Sequence, residues 1–428
     1  MTSNLAPPRQ KHIIILGAGI TALSTSLALH NLKHIAKSST PFAQTIIAAH
    51  LPGDSSIDYT SPWAGGHWRS HASTADLESE SRLRKWDKRT YEVWMEMLED
   101  GRLSEDEIND LGLGIRESRN YWAKETAETT RDGSGLWWSK ERELESDDEP
   151  VDSRSVKAMK GGGVKDFAVL DLASEKSIGV ENIPDGAVFG IKYTTVCINI
   201  PQYLSHRFRS AKDRGTTVIK DTVDTSAGIE GVVKDAKRIL ISQNREAQEE
   251  DIFAVINCTG LGARHFVGDE ESAKLYPVRG QTILVKGEAL KARSYVEFGE
   301  GTEEDELLYV IPRPGSGTTI LGGCKQKGNW SGDVDKVLNG RILQRAKEYG
   351  LAEELRTGNG REFEVLGFQV GLRPGREGGP RMEAEKRKVD ETWLVHSYGH
   401  SGGGYQCSAG CGEEVAEIVL GLEHEVFA

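Results

Sequence analysis

Apolar and polar positions change their period several times along the chain, and each change marks an element. Ile13, Ile14, Ile15 and Leu16 form an uninterrupted apolar run, the pattern of a parallel strand buried on both faces. Ile20, Leu23 and Leu27 then recur at helical spacing, and a second apolar run, "TIIAA" at 45–49, arrives where a βαβ unit places its next strand. Over residues 78–152, Trp86, Val93, Trp94, Met97 and Leu98 fall at helical spacings in a charged background. This predicts surface helices and a loop-rich insertion, with "ELESDDE" as a solvated loop. "INIPQYLSHRF" reads as a strand end followed by a helix from near Pro201, and "DIFAVINCTGLGA" as a buried strand ending in a glycine turn. "TILVKG", "LLYVIPRPGSGTTILGGC" and "WLVHSYGH" are β-like runs with turn punctuation. Near the C-terminus Cys407, Cys411, Val415, Ile418 and Leu422 recur at spacings of three and four, which gives a helix with an inward apolar face.

Between the first strand and its helix stand Gly17, Gly19 and Ala22, a G-x-G-x-x-A pattern. Gly17 permits the tight turn, Gly19 lets a pyrophosphate approach the backbone, and the helix N-terminus presents free N–H groups to it. The alternative is a purely structural βα turn. The second strand ends in Ala49-His50 rather than Asp or Glu, so an adenine ribose would be held otherwise, with His50 and Asp54 as candidates. A second glycine cluster, Gly402 to Gly404, precedes the last helix. Alone, such a cluster marks only a turn.

Composition narrows the classes. A length of 428 residues suggests two domains. A formal charge of −13, without a basic block, disfavours a nucleic-acid partner. No run reaches ~18 apolar residues, so no membrane span is expected. Five cysteines, odd in number and mostly scattered, suit a reducing interior; Cys407 and Cys411 read as core residues, and no metal is expected.

The motifs "GAGITALS", "SPWAGGHW", "NCTGLGA", "PVRGQTILVK", "YVIPR", "GGCKQKGNW", "VGLRPGREGGPR" and "YGHSGGGYQ" occur in this order along nearly the whole chain. Together they resemble the flavin-dependent D-amino-acid oxidase family, and are closer to its fungal members. The resemblance implies a mixed α/β fold: a Rossmann-like FAD-binding domain (1–75, 205–270 and 360–428) and an interleaved substrate domain on a large mixed β-sheet (76–204 and 271–359). It implies FAD held by Gly17, Ala18, Gly19, Ile20, Thr21, Ala49, His50, Ser61, Ala64, Gly65, Gly66, His67, Val223, Gly260, Arg373, Ser401, Gly402, Gly403, Gly404, Tyr405 and Gln406. For the substrate it implies Arg373 and Tyr309 as a carboxylate clamp, with Gln406 and Gly402 beside it and Tyr295 as a second tyrosine. No side-chain base is required if the substrate amine binds neutral.

The expected reaction is oxidative deamination of a D-amino acid to a 2-oxo acid, ammonia and hydrogen peroxide, with O2 as co-substrate. A D-aspartate oxidase is the alternative. It needs a second cation, and the six acidic residues over 297–306 oppose a doubly negative substrate. A non-catalytic flavin protein would lose the clamp, and a nicotinamide dehydrogenase rests only on the first glycine loop. A homodimer and a peroxisomal location follow from the resemblance alone; the ending "EHEVFA" lacks a Ser-Lys-Leu-type signal, which leaves a cytoplasmic location open.

Overall fold

The first apolar run lies at the centre of a six-stranded sheet. In the computed structural model, which describes residues 10–35, 42–72, 80–131, 133–139, 163–179, 182–244, 247–296, 305–357, 362–386 and 388–425, His12–Leu16 pairs in parallel with Ala43–Ala48 on one side and Ile252–Asn257 on the other. Ile13, Ile14 and Ile15 are fully buried. Each such side chain contributes roughly 1.5–3 kcal/mol of burial, so this strand anchors the layer. Thr217–Lys220 and Trp393–Tyr398 extend the parallel set, and Arg381–Ala384 closes one edge antiparallel. The turns after these strands gather at one end, the place where an open parallel sheet accepts a ligand.

A second, nine-stranded sheet is mostly antiparallel. Its order is Gln326–Lys327, Leu275–Lys286, Thr318–Cys324, Glu306–Arg313, Ala292–Val296, Leu113–Trp122, Phe189–Ile198 and Ala168–Val169; Val365–Arg376 also pairs with Leu275–Lys286. That last strand falls in the 360–428 segment grouped above with the cofactor domain, yet its partner belongs to the second sheet. Leu113–Trp122 corrects a further expectation. It lies inside the segment read as helices and loops, and it is a ten-residue strand paired along its whole length with Phe189–Ile198. Its charged residues, Arg116, Glu117 and Arg119, hid the alternation. Arg119 is buried against Glu117 and Glu175. The "ELESDDE" loop lies outside the described residues.

The helices join the layers. Ser81–Glu99 buries Trp86 and Trp94 of the expected stripe together with Tyr91 and Met95, while Val93, Met97 and Leu98 are only half-buried. The last helix, Ser408–Glu425, packs on Ile20–Ile35 with Cys411, Val415, Val419 and Leu422 buried; Cys407 is buried just before it, and Ile418, expected inward, is half-buried. Gly412 allows that approach, because a Cβ there would stand 2.7 Å from the Ser24 backbone. Among the described residues no helix is long and apolar enough to cross a membrane.

Candidate active site

Two adjoining cavities lie between the sheets. The larger, about 470 Å³, runs from the end of Ala43–Ala48 along the first glycine turn to the Gly402–Gly404 loop. The smaller, about 400 Å³, opens beside it under Tyr309 and Arg373.

The larger cavity is built mainly from backbone. Gly17 adopts φ +99°, and a Cβ there would meet the Cys258 carbonyl at 2.7 Å. Only glycine fits. The Gly17 N–H donates to the Ile47 carbonyl at 2.9 Å, which seats the turn on the sheet. Tyr59 and Ser61 brace the helix start: the Tyr59 hydroxyl donates to the Ala18 carbonyl at 2.7 Å, and the Ile20 N–H donates to Ser61 Oγ at 3.0 Å. No acidic side chain stands in the first turn of that helix, so nothing there opposes a phosphate.

The loop 402–404 behaves differently from Gly17. None of its glycines has a positive φ, and a Cβ on any of them would come no nearer than 3.6 Å to the rest of the protein. Internal packing therefore does not demand glycine there. The cavity does, since Gly402 and Gly404 line it. An elongated cavity with a nucleotide-type turn at one end and a Cβ-free loop at the other fits FAD.

Most of the sequence-derived cofactor residues line this cavity: Gly17, Ala18, Gly19, Ile20, Thr21, Ala49, His50, Ser61, Ala64, Gly65, Val223, Gly260, Arg373, Ser401, Gly402, Gly404 and Tyr405. Gly66, His67, Gly403 and Gln406 line the smaller one instead. Gly66 has a packing role, because a Cβ there would meet the Ile198 carbonyl at 2.4 Å. Asp54 turns away from the cavity: it accepts from the Leu51 N–H at 2.9 Å and pairs with Lys220 at 2.8 Å. Sequence reasoning missed Asp221. Its N–H donates to the Ala48 carbonyl, so a carboxylate from the neighbouring strand reaches the edge where the second strand offers none.

The smaller cavity is built from side chains. Arg373 and Tyr309 come from different strands and face it together. Each lies over a glycine. A Cβ on Gly280 would stand 2.5 Å from the Arg373 guanidinium, and one on Gly322 would stand 2.1 Å from the Tyr309 ring. The glycines of "VRGQ" and "LGGC" are the signal that could have been read, since a strand glycine often marks a close approach. Arg373 Nη1 donates to the Cys324 carbonyl at 3.1 Å and to the Val278 carbonyl at 3.4 Å. Among the described residues it has no carboxylate partner. Burial raises the Tyr309 phenol above the usual tyrosine range, against the pull of Arg373, so it is a donor at neutral pH.

Three further groups shape this wall. Gln406 donates to the Asp87 carboxylate at 3.1 Å, and Ser70 donates to the same oxygen at 2.6 Å. Burial pushes Asp87 up to about 7 despite those donors. Burial, with help from Arg69, lowers His67 to about 3, and burial lowers His400 to about 4. Both imidazoles are neutral at physiological pH. Tyr295 is a correction. It is buried in another core, donates to the Asp185 carbonyl at 2.9 Å, packs on Tyr349 and lines neither cavity. Glu306, counted among the lid acids, is likewise buried and paired with Arg341 and Arg345; residues 297–304 lie outside the described residues. Cys407 and Cys411 are buried beside His400, and their ligand atoms lie within 4.8 Å of one another.

Residues 12–418 match the family model described as FAD dependent oxidoreductase. The chain is 31% identical to a D-amino-acid oxidase of Fusarium vanettenii over 412 residues, covering 95% of this chain and 96% of that one. It is 31% identical to a D-amino-acid oxidase of Schizosaccharomyces pombe, covering 97% of each. It is 28% identical to a D-aspartate oxidase of Talaromyces thermophilus, covering 98% of this chain and 97% of the relative. Among solved structures, glycine oxidase from Bacillus cereus superposes with a TM-score of 0.58 at 15% identity, covering 96% of this chain and 95% of that one.

Proposed function

The chain belongs to the D-amino-acid oxidase family of FAD-dependent oxidoreductases, and on that premise we propose that Arg373 and Tyr309 hold the α-carboxylate of a D-amino acid for oxidation at its α-carbon. The observation that carries this reading is a guanidinium whose Nη1 donates to two backbone carbonyls, with no carboxylate partner among the described residues, at the junction of the two cavities. A planar fork in that position matches a carboxylate in two-pronged fashion, and the Tyr309 hydroxyl adds a third donor.

FAD, when bound, supplies the acceptor for the α-hydrogen as hydride and passes the two electrons to O2, which leaves as hydrogen peroxide. The residues present would hold it through the Gly17–Gly19 turn and the Gly402–Gly404 loop. The protein's own contribution is orientation. The clamp fixes the carboxylate, and the neutral imidazoles of His67 and His400 leave the amine uncontested. The ammonium form gives its proton to water on binding; loss of hydride from the neutral amine then leaves the iminium form of the imino acid, and hydrolysis releases the 2-oxo acid and ammonia. Neither histidine serves as a base in this reading, because His67 Nε2 is engaged with Ser118 at 3.1 Å and His400 is buried. Domain limits are proposed here with one change, Val365–Arg376 being grouped with the substrate sheet.

The test is anaerobic mixing of the purified holoenzyme with D-amino acids and their L-enantiomers. D-enantiomers should bleach the flavin, and air should restore it with release of peroxide. Bleaching by no D-amino acid would defeat the oxidase reading and leave the flavin site standing.

A further inference from the structure

The smaller cavity holds more positive charge than one α-carboxylate can use. Lys325 follows Cys324 directly, and the Cys324 carbonyl is the acceptor that positions Arg373. The two cations therefore stand at neighbouring points of one wall. Lys325 lines the cavity while its side chain stays open to solvent, and among the described residues its ammonium has no hydrogen-bond or ion-pair partner. Arg69 lines the same cavity, fixed by Glu128 at 3.1 Å and by the Trp122 ring at 5.3 Å. Arg376 also lines it but is committed to Glu271 at 2.9 Å. The only carboxylate lining it among the described residues is Asp87, which is turned towards Ser70 and Gln406. Desolvation and the charges of Arg69 and Arg373 pull Lys325 down to about 8, against the opposing pull of Glu128, which places these cations within one another's field.

We propose that this cavity takes a D-amino acid with an acidic side chain, D-aspartate or D-glutamate, with Arg373 on the α-carboxylate and Lys325 on the side-chain carboxylate. Arg373 and Lys325 lack an ion-pair partner among the described residues, and a dianionic ligand gives each of them one; a flexible ammonium suits a carboxylate at the end of a short chain. The fixed charge of Arg69 adds to the field without needing to move. The acidic segment that argued against such a substrate loses part of its force, because Glu306 is buried and already neutralised by two arginines. This inference rests on the oxidase reading, so its test separates the two.

The holoenzyme should show a kcat/KM for D-aspartate or D-glutamate on the order of 30-fold above that for the uncharged amide D-asparagine, the scale of a buried charge pair. Succinate, which cannot be oxidised, should perturb the flavin spectrum at far lower concentration than propionate. Lys325→Met should lower kcat/KM for the acidic substrate by on the order of 30- to 1000-fold and leave D-alanine within about threefold. Lys325→Arg should restore much of the loss. If D-alanine is oxidised well and both acidic substrates poorly, the inference fails while the oxidase reading holds. If Lys325→Met impairs D-alanine and the acidic substrate equally, Lys325 does not select the side chain. If no amino acid bleaches the flavin, the oxidase reading fails, and the succinate comparison alone decides whether the dicarboxylate subsite exists.

Discussion

The two cavities meet at Arg373 but are made of different material. The larger is bordered by turns at Gly17, Gly19, Gly260 and Gly402, where the main chain comes close and its N–H groups are available to an anion. The smaller is walled by long cationic and hydrogen-bonding side chains, Arg69, Lys325, Arg373, Tyr309 and Gln406, delivered by segments far apart in the chain. A backbone-built site tolerates many side-chain changes but not a new Cβ at its glycines. A side-chain-built site has the opposite sensitivity. The comparison teaches where substitutions should alter cofactor affinity and where they should alter turnover.

The strongest way to break it is at the junction. Arg373→Lys keeps the charge and loses the fork; a truncated buried pair costs about 2–5 kcal/mol, so kcat/KM should fall on the order of 30- to 5000-fold. FAD content should be retained, and Arg373→Ala should be at least as impaired. Near wild-type turnover in Arg373→Lys would mean that the carboxylate is held elsewhere. Tyr309→Phe removes one hydroxyl from the same clamp. A hydrogen bond to a charged group is worth about 1.5–3 kcal/mol, so its kcat/KM should drop roughly 10- to 150-fold, with the melting temperature unchanged.

Gly404→Val probes the other material. Its Cβ meets only Ile20, at 3.9 Å, so the fold has room for it, whereas the cavity does not. Overpacking costs about 1–3 kcal/mol, which should weaken FAD binding by roughly 5- to 150-fold while the apoprotein melts close to wild type. Flavin titration of both proteins reads this, and equal affinities would show that the glycine loop does not border the cofactor.

The smallest effect is on stability against pH. Asp87 has its native pKa raised from 3.8 to about 7 by burial. Between these values the unfolded state is ionised while the native state keeps its proton, so the native state binds more protons and stability falls as pH rises from about 4 to about 7. Asp87→Asn removes that penalty and keeps an acceptor for Ser70 and Gln406. Its unfolding free energy relative to wild type should therefore improve between pH 5 and pH 8, by about 2–3 kcal/mol, read as a rising difference in melting temperature. A difference independent of pH would indicate that Asp87 is charged throughout.

The chain's local patterns determined the nucleotide half almost completely. A buried strand, a glycine turn and an amphipathic helix are contiguous, and their geometry follows from backbone sterics that sequence states directly. The ordered motifs also named Arg373 and Tyr309. The second cavity was less legible. Leu113–Trp122 looked like a charged surface segment because Arg119 is buried and meets Glu117 and Glu175 only after folding. Tyr295 and Gly403 had plausible sequence positions, yet burial direction is set by strand register and loop course, and these turned Tyr295 onto Tyr349 and Gly403 towards the smaller cavity. Lys325 stood in a recognised motif with no role attached. Whether an ammonium borders a cavity or open surface, and whether it is paired, depends on which elements and carboxylates reach it through space, and only the packed chain decides that.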